Sequence, residues 1–534
     1  MKKVYLGLLL VGLVVFNPCK AQYVNIPDAG FVTWLQGHGF AACLNGNQLD
    51  TTCSAVLTTT TINCNGAPIY DLTGVQYFKN LATLACSGDS LYTTFQLPAS
   101  LVSFNFANNQ MSIMPALPTG LKSLVCTNNF ISSVSALPPN LQQFSCGQNG
   151  FYSLPALPST LQSLICDFNY LNGLPALPNS LQNLSCTYNV LYALPALPAG
   201  LQTLTCFGDS LFTLPALPSA LTDLNCSSNA LTSMPTLPSG LVTLFCSNNG
   251  IDSIPALPGT LQKLYCQQNH LTVMPALPAG LTYLNCGINS ISSMPALPQS
   301  LQTLLCNFNL LTALPILHGQ LQLLNCGYNR LTNLPALPLS LQSLYCNDNQ
   351  LGALPDLPGH LTYLDCGFNM QLSLIPVLPD SMNTFITMYD TSLHCLPVLK
   401  RIVNLNFTHT AVKCIIDSGV VTNSSPAIDT FTLCSNYNPD SCGLPPVTTG
   451  VLKTDPSLFS VYPNPAKDFA TISVGDNFVS GWLEVNDAIG RSILSQQIIA
   501  SKFRIKTNTW ANGLYLIKVM SSDNNTIIKR LVVE

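Results

Sequence analysis

Between about Leu81 and Asn369, apolar residues recur in one phrase of twenty residues. With Leu161 as place one, Leu164 and Cys166 hold places four and six. Asn169 holds place nine, and Leu171, Leu174 and Leu177 follow with Pro175 and Pro178 interleaved. Leu181 opens the next phrase without a slip. A period of this size marks a solenoid, in which each coil hides its apolar side only by stacking on its neighbours. The alternation at places three to seven predicts a short strand, with Leu161, Leu164 and Cys166 inward and Ser163, Ile165 and Asp167 on the concave face. Asn169 is expected to turn the chain and bond backbone groups of the coil, so that such residues stack as a ladder. The prolines fix φ and remove N–H donors, which predicts an extended, polyproline-like convex limb. About fifteen coils at roughly 4.8 Å give an array of about 70 Å.

The pattern differs at both ends. Lys2, Lys3 and the apolar run Val4–Phe16 before Ala21 predict a signal peptide over residues 1–21. Residues 22–79 read as an N-terminal cap, with a short helix after Pro27 and Asp28 and a strand over Val56–Thr61. The array is placed at 80–380 and a C-terminal cap at 381–442, after an extra residue near Met370 shifts the register. Pro445, Pro446 and Gly450 mark 443–460 as a linker. Residues 461–534 alternate as strands at Ala470–Val474, Trp482–Val485, Phe503–Lys506, Leu514–Val519 and Ile527–Val533, which predicts a small β-sandwich. The fold class is therefore a parallel-sheet repeat solenoid plus a C-terminal all-β domain.

Composition narrows the partners. A net charge of −4 with 8% charged residues, and no Lys/Arg cluster, argues against a nucleic-acid partner, so none is expected. No later apolar stretch is long enough to span a bilayer, so no transmembrane segment is expected in the mature chain.

Twenty-two cysteines in an exported chain would ordinarily announce a disulfide scaffold. Fourteen of them, Cys86 and then Cys126 to Cys366 in steps of twenty, instead hold place six, which Phe106 takes once. A place that accepts Phe is an apolar core place. Equivalent side chains on in-register strands stand side by side, whereas a disulfide needs Cβ atoms about 3.8 Å apart and inclined together. The ladder is expected to be buried and reduced. Cys43 with Cys53 and Cys434 with Cys442 lie in short loops outside it and are expected as disulfides; Cys395 and Cys414 are candidates to pair across terminal coils, and Cys64 has no evident partner.

Gly88-Asp89-Ser90-Leu91 and Gly208-Asp209-Ser210-Leu211 spell a hydrolase signature, but the repeat register accounts for both: Asp89 and Asp209 stand at the ladder-asparagine place. The Asp-x-x-His which that chemistry needs is absent, since Asp356 to His360 and Asp390 to His394 are one residue too far apart. The six histidines form no triad-like or metal-binding grouping. No enzyme, cofactor or metal site is expected. The concave face is mostly uncharged Ser, Thr, Asn and Gln, interrupted by Phe168, Tyr188, Phe245, Tyr265, Tyr283, Phe308, Tyr328, Tyr345, Tyr363 and Phe368. Rings beside amides and hydroxyls suit a sugar or a protein partner, and they equally suit packing on each other along the sheet.

The phrase Leu-Pro-x-Leu-Pro-x-x-Leu-x-x-Leu-x-Cys-x-x-Asn-x-Leu resembles the twenty-residue bacterial leucine-rich repeats of secreted effectors and of Bacteroidota surface proteins. Val24 to Phe31 resembles the lead-in of the surface group, whose relatives often follow it with an acidic Asn-Gly-Asp-Gly loop. Leu44-Asn45-Gly46-Asn47 departs from that pattern, so calcium binding is not implied. Val461-Tyr462-Pro463-Asn464-Pro465-Ala466, Gly490-Arg491, Asn512 to Val519 and Lys529 to Val533 resemble the type A C-terminal sorting domain of type IX secretion. That resemblance implies the type IX machinery as a partner, passage across the outer membrane, and release or surface attachment. Together these features lead to the expectation of a secreted or cell-surface recognition protein that binds a protein or glycan on its concave face, with adhesion as one use. The alternative is a structural surface-layer or spacer protein without a specific ligand.

Overall fold

The computed structural model describes residues 22–397, 399, 401–415, 420–428, 431–433, 459–474, 481–487, 492–498, 500–521 and 526–533. The expected signal peptide, Cys434 with Cys442, the Gly490-Arg491 turn and most of the linker lie outside the described residues. The chain forms two compact units, one built on the repeats and one containing the C-terminal sheets.

The repeats form a parallel sheet in which each coil contributes a strand, three residues long through the regular coils. Strand Ser163–Ile165 pairs with Asn183–Ser185, setting Leu164 opposite Leu184, and Thr203–Thr205 follows in the same register. The alternation runs on through place six, whose inward cysteine still donates its N–H to the next coil, Cys166 to the carbonyl of Ser185 at 2.8 Å, before the chain bends away. The return limbs carry no helix or strand, as two prolines per coil dictate. Inside, the place-one, place-four and place-eleven leucines and the place-six cysteines are fully buried.

The sheet is longer than the sequence phrase at both ends. It begins at Thr61–Asn63, paired with Thr83–Ala85, and continues through Thr384–Ile386 and Arg401–Asn406 to Val420–Ser425. The inward pairs persist where the phrase fades: Ile62 with Cys64, Phe385 with Thr387 and Leu405 with Phe407 are buried. Cys64 is therefore a rung of the cysteine ladder, not a leftover of the cap. The expected strand over Val56–Thr61 is instead a helix, Ser54–Thr58, with the strand starting at Thr61.

Fifteen cysteines, Cys64 and the fourteen place-six residues, are buried free thiols. Burial pushes them up, Cys246 and Cys286 to about 12, so no thiolate forms at neutral pH. Beside them runs the asparagine ladder. Asn149 donates through Nδ2 to the carbonyls of Cys126, Cys146 and Gly147 at 2.9, 3.2 and 3.0 Å, and its Oδ1 accepts the N–H of Ile131 at 3.0 Å. Each such amide thus satisfies backbone groups of its own coil and of the one before it.

At the N-terminus, helix Ala29–Leu35 is capped by Asp28, whose Oδ1 accepts the N–H of Phe31 at 2.7 Å. Its Oδ2 accepts the N–H groups of Tyr70 and Asp71, tying the cap to the first coils. A disulfide joins Cys43 and Cys53, with Cα atoms 5.5 Å apart.

In the second unit, Cys395–Leu396, Cys414–Ile415 and Thr432–Leu433 form a small parallel sheet in which Cys395 and Cys414 are register partners. Cys395 is disulfide-bonded. The C-terminal part comprises two antiparallel sheets around one core containing Ile472, Val485, Ile505, Ile517 and Leu531. Two of its strands, Phe459–Tyr462 and Ser492–Ile498, are additional to those read from the sequence.

Candidate functional site

The outward surface of the repeat sheet divides the ten candidate aromatics into two groups. Tyr283 and Tyr363 stand at place three, and Phe245, Tyr265 and Tyr345 at place five, all on strands. Phe245 stacks on Tyr265 at 4.2 Å between ring centroids, Tyr265 on Tyr283 at 4.5 Å, and Tyr345 on Tyr363 at 4.5 Å. These five rings are half-buried.

The other five, Phe168, Tyr188, Phe308, Tyr328 and Phe368, stand at place eight, where the chain turns just before the ladder asparagine. They stack as Phe168 on Tyr188 at 4.6 Å and Phe308 on Tyr328 at 3.9 Å. Phe368 stacks on Tyr389 at 4.5 Å, and Tyr389 on His409 at 4.2 Å. Tyr389 and His409 are missed by the sequence reading, because the extra residue near Met370 moves them out of phase. Counting twenty residues back from His409 recovers both.

The backbone at place eight is left-handed. Phe168, Tyr188, Phe308, Tyr328 and Phe368 have φ of 53°, 51°, 53°, 54° and 58°. Asn108, Asn128, Asn248, Gln148 and Ser228 occupy the same conformation in other coils. Asn tolerates this region best among residues with a side chain, while a bulky aromatic there is a genuine outlier. Phe168, Tyr188, Phe308 and Tyr328 are nonetheless 43–48% exposed, so no core demand explains their choice. Strained residues of this kind cluster at functional sites.

Within each stack the rings cover one another's faces. Each paired ring thus has one face taken by its neighbour, while the residue as a whole stays exposed at Phe168, Tyr188, Phe308 and Tyr328. Charge is sparse but not absent: Asp348, at place eight beside Tyr328, and Asp365, at place five, help to raise the Tyr328 phenol, after burial. Asp365 itself is raised to about 6, chiefly by burial. Among the described residues no group of His, Cys, Asp and Glu is arranged to hold a metal.

The two Gly-Asp-Ser-Leu strings lie in the ladder register. Asp89 Oδ1 accepts the N–H of Ala67, and Asp209 Oδ1 accepts that of Asn189. Gly208 has its own reason: a Cβ there would stand 2.8 Å from Tyr188 Cδ1, since the Tyr188 ring lies over it. In the C-terminal segment, Asn464 Oδ1 accepts the N–H of Val532 at 2.8 Å, and Lys502 lies over the exposed Tyr462 ring. Pro463 and Pro465 are also exposed; the asparagine, with the N–H of Ala466 donating to the Val532 carbonyl at 2.7 Å, fastens the loop to the last strand.

The chain belongs to the leucine-rich-repeat proteins. It is similar to YopM from Yersinia enterocolitica, with 28% identity over 68% of this chain and 91% of that one at a TM-score of 0.50. It is likewise similar to YopM of Yersinia pestis, a leucine-rich effector protein, with 34% identity over 54% and 83% of the two chains and a TM-score of 0.50. The functional domain of InlJ from Listeria monocytogenes, which includes a cysteine ladder, shares the fold at 18% identity, covering 96% and 99% with a TM-score of 0.57. Residues 460–534 match the family model of the secretion system C-terminal sorting domain. No curated protein sequence matches the chain. The sorting domain places the protein in type IX secretion, bound for the cell surface or the outside. Among the described residues no helix is long and apolar enough to cross a membrane.

Proposed function

We propose that this is a non-enzymatic recognition protein whose repeat sheet binds a macromolecular ligand outside the cell, and that the ligand on this face is a protein. The observation that carries the reading is the placement of exposed rings at left-handed place eight, where Phe308 and Tyr328 occupy a conformation that suits Asn better. Folding is served equally well by the Asn, Gln and Ser residues of other coils, so the rings answer another demand. Stacking favours a protein over a sugar here. A pyranose needs an open ring face, and stacking leaves each paired ring at most one, while ring edges and tyrosine hydroxyls supply the amphipathic contacts common at protein interfaces.

The strand-face stacks, such as Tyr345 on Tyr363, favour a second reading, in which the aromatics only brace the sheet of a spacer protein. A surface-protein and glycan screen with the full chain separates the two. Binding to a protein that is lost in Phe308→Asn/Tyr328→Asn, with an unchanged melting temperature, supports recognition. Absence of any ligand, together with ligand-free self-association indifferent to these rings, supports the spacer.

A further inference from the structure

A second surface lies on the turn that carries each coil from the ladder asparagine to the return limb, at places ten to thirteen. In seven consecutive coils it holds at least one large, solvent-exposed apolar side chain per coil, with Val190 a second beside Tyr192. Tyr92, Ile113 and Phe130 occupy the first three, and Tyr152, Tyr170, Tyr192 and Phe212 the next four, all 56–67% exposed. The later coils carry Thr232, Asp252, Thr272, Ser292, Thr312 and Thr332 at place twelve, so the fold does not require rings there. Val273 and Leu310 are isolated exceptions nearby. Over the seven coils, places ten, twelve and thirteen contain no charged residue.

The row has a gap. Place twelve is Tyr in the coils of Tyr92 and Tyr152, but Ser112 and Ser132 in the two between them. Three coil spacings put the two tyrosines about 14 Å apart. Here the Leu-Pro-Ala-Leu-Pro phrase is also broken, with Ser135 in place of the first proline. Between the two serine coils lies a hollow of about 340 Å³, lined by Ser112, Ile113, Met114, Ser132, Ser133 and Ser135 together with neighbouring apolar residues of the same two coils, with Tyr92 and Tyr152 on the coils to either side. That is within the size range of small-ligand sites, about 300–1,000 Å³. The four serine hydroxyls have no hydrogen-bond partner among the described residues.

We propose that this hollow and the flanking row bind a neutral carbohydrate chain. The chemistry is that of an uncharged sugar: unpaired hydroxyls to exchange hydrogen bonds with ring hydroxyls, and exposed apolar side chains for C–H faces. Unlike the tight place-eight stacks, neighbouring rings in this row stand further apart. Tyr192 and Phe212 have centroids 6.5 Å apart, and Tyr152 and Tyr170 5.4 Å apart. A polymer of like units running along the array meets at least one apolar side chain per coil. The absence of charge disfavours an acidic polysaccharide. This site is separate from the sheet face and stands or falls independently of the ligand proposed there.

The test is affinity electrophoresis of the full chain in gels containing a soluble β-glucan, an α-glucan or a galactomannan, with polygalacturonate as the charged control. The expected result is retardation by at least one neutral polymer and none by polygalacturonate. Tyr92→Ser/Tyr152→Ser should weaken it roughly tenfold. Ser135→Pro, which restores the residue the phrase carries elsewhere and so spares the fold, should weaken it as well. Tyr328→Asn, on the sheet face, should leave it unchanged. No retardation by any neutral polymer overturns the proposal, as does retardation indifferent to the Tyr92/Tyr152 and Ser135 variants or equal retardation by polygalacturonate. Dimerisation in free solution that Tyr152→Ser abolishes, without glycan retardation, overturns it in favour of a contact between copies.

Discussion

Asp209 Oδ1 accepts the backbone N–H of Asn189 at 2.9 Å, while its buried Oδ2 has no hydrogen-bond partner. An asparagine there would donate to the carbonyls of Cys186 and Cys206, as Asn229 does to Cys206 and Cys226 at 2.8 and 3.1 Å. The carboxylate instead faces oxygens, and burial raises it to about 7. Asp390, in the corresponding place near the array's end, is also raised to about 7, but its second oxygen accepts from the Thr387 hydroxyl.

The first prediction concerns Asp209→Asn. The folded state keeps the proton of Asp209 up to about pH 7, whereas the unfolded chain releases it near the ordinary value of 3.8. Between those values the unfolded state binds fewer protons, so the Asp209 contribution is full below about pH 4, declines as pH rises and levels off above about pH 7. Asp209→Asn should raise stability by about 2 kcal/mol at pH 8. At pH 4, where the protonated acid already resembles the amide, the gain should be much smaller. Urea titrations at the two pH values check this; an equal gain at both would mean that ionisation plays no part.

Asn269→Ala tests the ladder itself. It removes three donated bonds, to the carbonyls of Cys246, Cys266 and Gln267, and orphans the N–H of Ile251. Leaving buried backbone groups unpaired costs about 1–3 kcal/mol each, so a loss of about 3 kcal/mol or more is expected. Because a solenoid's coils contact only their neighbours, the damage should be local. Hydrogen exchange should quicken first at Ile251 and in the two flanking coils, and uniform loss of protection across the array would contradict a nearest-neighbour account.

Much of this is legible in the sequence. The twenty-residue beat specifies which side chains point inward, and Phe106 at place six shows that the cysteines are core residues rather than a disulfide framework. Cys64 escaped because it lies twenty-two residues before Cys86, off the beat, although Ile62 and Cys64 repeat the inward pair. The left-handed backbone at place eight was also missed. Its signal was there, in Asn108, Asn128 and Asn248, since Asn preceding Asn at a turn is the residue choice a positive φ favours. The exposed row from Tyr92 to Phe212 was hidden because its members shift among places ten, twelve and thirteen, so no single column of the repeat displays it.

The cysteine ladder predicts a sharp contrast in thiol reactivity. Fifteen buried thiols, raised by burial, present no thiolate to a reagent in the native chain. An aromatic disulfide reagent should report almost no reaction at pH 8, then at least fifteen thiols per chain after denaturation under anaerobic, non-reducing conditions. Near-absence of thiols after denaturation would mean that the ladder is oxidised.

The place-eight rings predict a separation of stability from binding. Phe308→Asn gives up the stack on Tyr328, worth about 0.5–1.5 kcal/mol, but relieves a left-handed phenylalanine of about 1–2 kcal/mol. The two effects nearly cancel, so the melting temperature should stay within about 2 °C of the parent, or rise. A residue kept for packing behaves otherwise: Phe104, fully buried at the centre of strand Ser103–Asn105, should cost about 3–5 kcal/mol when cut to Ala. If Phe308→Asn instead destabilises the array by more than about 2 kcal/mol, the stacked pair is a structural brace and the case for a ligand on the sheet face loses its main support. If stability holds, the ring is maintained at a backbone position that disfavours it for no gain in folding. What it contributes must then lie outside the chain.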